Sequence, residues 1–145
     1  MAIDRKHLGS RTPPYAGEVE KGQLRFFAKA TGEENPIYSD EAAARAAGYP
    51  ALPAPPTFIF CLTFHSPREL AELGVDMTRV LHAEQAFRHH APIYAGDRIT
   101  LVGEITDIYE KKGGALEFIV ERISATNQNG VLCAEMDVTT VVTHG

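Results

Sequence analysis

The stretch Phe27-Ala-Lys-Ala-Thr-Gly-Glu-Glu-Asn-Pro-Ile-Tyr-Ser-Asp40 sets two adjacent carboxylates, an amide and a phenol within six residues, side chains that could move or hold a proton. Glu33 and Glu34 are carboxylates able to accept one, or else solvated loop side chains. Tyr38 has an ordinary pKa of about 10; it either joins that chemistry or packs its ring while its hydroxyl bonds a loop carbonyl. Asn35 is suited to hold the loop closed, because a side-chain amide can bond the backbone two residues on. The histidines offer less. His89 and His90 are adjacent, so on a strand they face opposite ways and cannot share one metal ion; no metal site is expected. His82 shares strand parity with Glu84 and Arg88, where it faces a partner or a ligand channel, or simply stands half exposed. His65 follows an apolar run and caps it. Cys61 and Cys133 lie far apart without Cys-x-x-Cys spacing and read as buried thiols.

These side chains need elements to hold them. Leu24, Phe27, Ala28 and Thr31 recur with helical spacing and Gly32 stands at the C-terminal cap position, so a helix is predicted near residues 20 to 31. The Asn35-Pro36 step cannot continue that helix. A second, shorter helix is predicted from Glu41 to Ala47, capped by Ser39 or Asp40 and stopped by Gly48. Four prolines between Pro50 and Pro56 precede Thr57-Phe-Ile-Phe-Cys-Leu-Thr-Phe64, a helix with Thr57 as N-cap and no polar face, which must be surrounded by protein. Ser66-Pro-Arg-Glu69 reads as a capping box opening a further helix that ends at Gly74.

From Val80 the period switches to two. Strands are predicted over residues 80 to 90, 98 to 110, 115 to 126 and 131 to 143, with tight turns at Lys111-Lys-Gly-Gly114 and Asn127-Gln-Asn-Gly130. Four long antiparallel strands after an apolar helix suggest an α+β fold in which a curved sheet wraps around that helix. Residues 1–17, with Gly9, Pro13 and Pro14, read as an irregular arm, and residues 18–145 as one domain.

Composition narrows the function. The 145 residues are 44% hydrophobic and 23% charged, as in ordinary globular domains. No apolar run approaches the roughly 20 residues needed to span a bilayer, and no apolar stretch follows the basic residues near the N-terminus, so a soluble cytoplasmic protein is expected. A net charge of −5 without a basic cluster argues against nucleic acid as partner.

The stretch quoted above, followed by Ala43, Ala47-Gly48-Tyr49 and Pro53-Ala54-Pro55-Pro56-Thr57, resembles the MaoC-like (R)-specific enoyl-thioester hydratases and dehydratases. A second match, Leu81-His82-Ala83-Glu84-Gln85-x-Phe87 with Pro92 and Ala95-Gly96-Asp97, is similar to the N-terminal halves of these enzymes and to small subunits that pair with a separate catalytic chain. The resemblance implies a hot-dog fold over roughly residues 18 to 145. It also implies addition of water across a 2-enoyl thioester carried on coenzyme A or acyl carrier protein, with no cofactor of the protein's own.

Such chemistry needs a carboxylate and an imidazole converging on one water or hydroxyl, with N–H donors for the enolate oxygen. The family's Asp follows the helix-ending Gly, and its His comes five residues later; those positions hold Glu33 and Tyr38 here. Tyrosine cannot relay a proton near neutrality as histidine does. The chain is therefore expected to be a subunit that is weak or inactive alone, joined as a hetero-dimer to a chain carrying Asp and His, or forming a homo-dimer or tetramer. Asn35, Ala54, Thr57, Phe58 and His82 are the expected substrate contacts, with the helix N-terminus at Ala54 to Phe58 facing the thioester carbonyl. Arg88, Arg98, Lys111 and Lys112 are candidate phosphate contacts by charge alone. Two other readings of the same residues are an acyl-CoA thioesterase using Glu33 or Glu34 as base or nucleophile, and a non-enzymatic module that holds an acyl thioester.

Overall fold

Period-two patterning from Val80 onward builds the body of the protein. A computed structural model describes residues 3–145, so the first two residues of the expected arm lie outside the described residues. Strands β1 (Tyr15–Glu18), β2 (Val80–His89), β3 (Arg98–Lys111), β4 (Leu116–Thr126) and β5 (Leu132–Thr143) form one antiparallel sheet in the order β1-β3-β4-β5-β2. The four long strands coincide with their sequence signals to within a residue at either end. Part of β1 falls in the segment expected to be irregular; too short to show a period, it is held by pairing Tyr15 with Leu101 and Glu18 with Arg98. The arm before it is tied down as well, with Ile3 and Thr12 buried.

The curved sheet wraps the apolar segment Phe58–His65, which winds as a 3-10 helix. Phe58, Ile59 and Leu62 are buried against the sheet, whereas Phe64 is 78% exposed. The expectation of protein on every side is therefore met on one face only, because a single chain supplies one layer of sheet. Thr57 does not cap this helix: its backbone is at φ −100, ψ 0, and its side chain makes no capping bond. Nor does Ser66-Pro-Arg-Glu69 open a helix at Pro67. The Ser66 hydroxyl accepts from the Arg68 N–H at 3.2 Å, and a short 3-10 turn begins only at Leu70, ending at Gly74 as expected.

A bulge in β2 alters which side chains face inward. His82 pairs with Thr140 and Glu84 with Thr139, so Ala83 is the extra residue. The expected shared parity of His82 with Glu84 and Arg88 is thus broken: His82, Gln85 and Phe87 lie on the inner face, while Arg88 reaches Asp137 at 3.1 Å on the outer one. Among the described residues no helix is long and apolar enough to cross a membrane.

Candidate functional site

Helix α1 (Lys21–Ala30) buries Leu24 and Ala28, then stops through its own backbone chemistry. Thr31 turns its hydroxyl back to the Phe27 carbonyl at 2.9 Å, Gly32 takes φ +71, and the Glu33 N–H closes on the Ala28 carbonyl at 2.8 Å. That last bond is a Schellman closure, and it needs a left-handed residue at Gly32. A Cβ at Gly32 would meet nothing within 4 Å, so Gly32→Ala is expected to cost about 1 kcal/mol of stability through backbone strain alone. A urea midpoint unchanged in that variant would show that the turn is not fixed by this bond.

Beyond Gly32 the loop is held along its length. The Asn35 side-chain oxygen accepts from the Ile37 N–H at 3.2 Å, capping the 3-10 turn Pro36–Tyr38. Asp40 then caps helix α2 (Glu41–Ala46), accepting from Ala42 and Ala43. Arg25 of α1 ties down the end of the loop by donating to the Ser39 carbonyl at 2.9 Å, and the Lys21–Glu41 pair at 3.3 Å bridges the two helices. Asn35 therefore does what its residue type suggested.

Glu33 is exposed and directs one carboxylate oxygen inward to its own loop, where it accepts from the Asn35 N–H at 3.0 Å. Tyr38 is half-buried. Burial, and then the nearby Glu33 carboxylate and Tyr49, push its hydroxyl above the ordinary value of 10.0, so it stays protonated at neutral pH. The loop thus presents Glu33 already engaged, Glu34 exposed, and a Tyr38 phenol that can share but not relay a proton.

Ala54 and Phe58 meet at the start of the central helix. Ala54 donates to the Ile93 carbonyl at 2.7 Å, and the Phe58 N–H is taken by the Pro55 carbonyl at 3.0 Å, so it is not among the free donors expected there. Ala54 borders a groove of about 450 Å³ with Pro55, Ile59, His89 and Ile93. Phe58 borders another of about 510 Å³, formed with Phe26, Phe27, Cys61 and Leu62 between α1 and the central helix. Thr57 is exposed beside them. Neither groove is lined by Glu33, Asn35 or Tyr38. His82 stands apart from this end, with its ring edge-on to Phe60 at 5.5 Å.

Two polar residues were not anticipated. Arg68 and Glu121 pair at 2.8 Å with only 10% and 22% of their side chains exposed. The alternation Ile119, Glu121, Ile123 along β4 contained the signal for Glu121, a carboxylate in an inward-facing position.

Comparison with known proteins gives a consistent picture. Residues 6–136 match the family model described as FAS1-like, dehydratase domain region. The chain is 42% identical over 117 residues to a UPF0336 protein of Streptomyces coelicolor, covering 78% of each. Among solved structures, the HadBC (3R-hydroxyacyl-ACP dehydratase) complex of Mycobacterium tuberculosis is similar with a TM-score of 0.82 at 29% identity, over 97% of this chain and 99% of that one. A MaoC-like dehydratase aligns with a TM-score of 0.86 at 26% identity, over 97% of this chain but 43% of its own length.

Proposed function

Since the chain belongs to the FAS1-like dehydratase-region family of MaoC-like hot-dog proteins, we propose that it is the acyl-holding subunit of a cytoplasmic (R)-specific 3-hydroxyacyl-thioester dehydratase. In this reading a second hot-dog chain contributes the Asp and His that move protons. The observation that carries it is the state of the Gly32 to Tyr38 loop, where the Glu33 carboxylate accepts from the Asn35 N–H and the Tyr38 position holds a protonated phenol. The exposed Phe26 and Phe64, at 75% and 78%, give the partner an apolar face to cover. Two similar structures are complexes, HadBC and ChsH1-ChsH2 of Mycobacterium tuberculosis, which supports pairing with another chain. Substrate is held as a thioester of coenzyme A or acyl carrier protein, its carbonyl near Ala54, Thr57 and Phe58, and no further cofactor is required by the chemistry.

The test is to assay hydration of crotonyl-CoA and longer enoyl-CoA esters by the chain alone and after co-purification with a hot-dog chain bearing Asp and His. The pair is expected to exceed the single chain by about two to four orders of magnitude, the range associated with general acid–base catalysis. Strong activity of the chain alone, lost in Glu33→Gln, would overturn the proposal.

A further inference from the structure

The groove between α1 and the central helix has a direction. Phe27, near the C-terminal end of α1, sets its ring edge-on to Phe58 at 5.6 Å. Gly17, just ahead of α1, lies against the other end of the central helix, where a Cβ would stand 3.0 Å from Leu62 and 3.3 Å from His65. The two helices therefore run in opposite senses, and the groove of about 510 Å³ runs lengthwise between them, from Phe27 and Phe58 to Glu20 and His65. Its first end is the one at which the chain leaves α1 for the Gly32 to Tyr38 loop.

The lining changes along that direction. Phe26, Phe27, Phe58, Cys61 and Leu62 form apolar walls, whereas Glu20 and His65 bring polar groups to the far end. From Phe58 to His65 the 3-10 helix rises about 2 Å per residue, which makes the path about 14 Å long. An extended chain advances about 1.2 Å per bond, one third of its advance per residue in extended backbone, so about twelve carbons fill that length. The other groove at the start of the central helix suits them less. His89 and His90 border it, and an alkyl chain laid there would strip water from two imidazoles.

We propose that this groove takes the alkyl chain of the thioester and sets a length ceiling at about twelve carbons, an inference that rests on the acyl-holding role above. With the thioester at Ala54 to Phe58, the chain enters beside Phe27 and Phe58 and lies along Cys61 and Leu62. Each methylene laid against those walls is removed from water, which favours binding. Carbons beyond the ceiling meet Glu20 and His65, whose polar groups would lose hydration under an alkyl chain. They stay in solvent and add nothing.

Titration calorimetry of the full chain with the even-numbered series from hexanoyl- to hexadecanoyl-CoA, below micelle-forming concentrations, tests this. Affinity is expected to rise about two- to fourfold per methylene up to dodecanoyl-CoA, and by less than about twofold over the rest of the series. Gly22→Leu adds a side chain at the far end, where a Cβ meets nothing within 4 Å, and should lower the ceiling by about two carbons. Glu20→Leu removes a carboxylate that makes no capping bond and should raise it by about two. Dodecanoyl-CoA should also slow alkylation of Cys61, the half-exposed thiol, Cys133 being buried. An affinity that climbs steadily to hexadecanoyl-CoA, a ceiling unmoved by Gly22→Leu, or bound ester that leaves Cys61 as reactive as before would overturn the groove's role and leave the acyl-holding reading standing. So would alkylation that slows with rising protein concentration in the absence of ester, which would assign the groove to a second copy of the chain. Failure of every ester to bind would overturn the acyl-holding reading, and the groove with it.

Discussion

The double substitution Glu33→Asp, Tyr38→His is expected to raise crotonyl-CoA hydration by the chain alone by about two to four orders of magnitude. Each change addresses one observed deficiency. Tyr38 stays protonated at neutral pH, its hydroxyl lifted by burial and by Glu33, whereas an imidazole with a pKa of about 6.5 can both take and give a proton there. Glu33 accepts from the Asn35 N–H; Asp, one methylene shorter, sets the carboxylate closer to the backbone. The scaffold that would carry the new pair is intact, from the Gly32 turn to the Asp40 cap. The rate of the double variant should rise with pH through the imidazole range, and neither single substitution should match it, since acid and base act together. A double variant that retains its circular dichroism spectrum but gains no activity would place the loop away from the thioester and remove the basis for the subunit reading.

How far the sequence carries depends on how local the determining physics is. The two helices around the loop were readable because Gly32, Asp40 and the helical spacing of Leu24 and Ala28 act within a turn or two. The long strands were readable because alternation and the two glycine turns are likewise local. The bulge at Ala83 was not, since nothing in Leu81-His82-Ala83-Glu84 distinguishes a bulge from regular strand. It is specified by pairing with Thr139 and Thr140 from the far end of the chain, and it placed His82 on the face opposite to the one expected for its neighbours. Thr57 shows a similar limit. Its residue type suits a cap, but the preceding prolines set a backbone in which the side chain makes no such bond. The loop's residues are brought together as expected, yet none of Glu33, Asn35 and Tyr38 lines either groove beside the central helix, and no local pattern encodes that placement.

The Arg68–Glu121 pair should prove the most sensitive polar contact to stability. Burial raises the Glu121 carboxyl above its ordinary value of 4.5, and Arg68 offsets part of that rise. Removing the guanidinium in Arg68→Met leaves the carboxylate buried without its counter-charge, and a loss of about 3 kcal/mol is expected at neutral pH, the low end for breaking a buried pair because Glu121 keeps some exposure. The pH dependence has a definite sign. A carboxyl whose folded-state pKa lies above its unfolded value binds more protons when folded, so stability falls as pH rises from about 4.5 through the raised folded value. Without Arg68 that raised value moves higher still, so the variant's deficit should be smaller at pH 5 than at pH 8. Replacing both partners, as in Arg68→Met with Glu121→Leu, should recover most of the loss, since a well-packed apolar pair often replaces a buried ion pair at little cost. Urea unfolding at the two pH values measures all three proteins. An equal deficit for Arg68→Met at both would mean that lost packing of the arginine stem, rather than the stranded carboxylate, accounts for the effect.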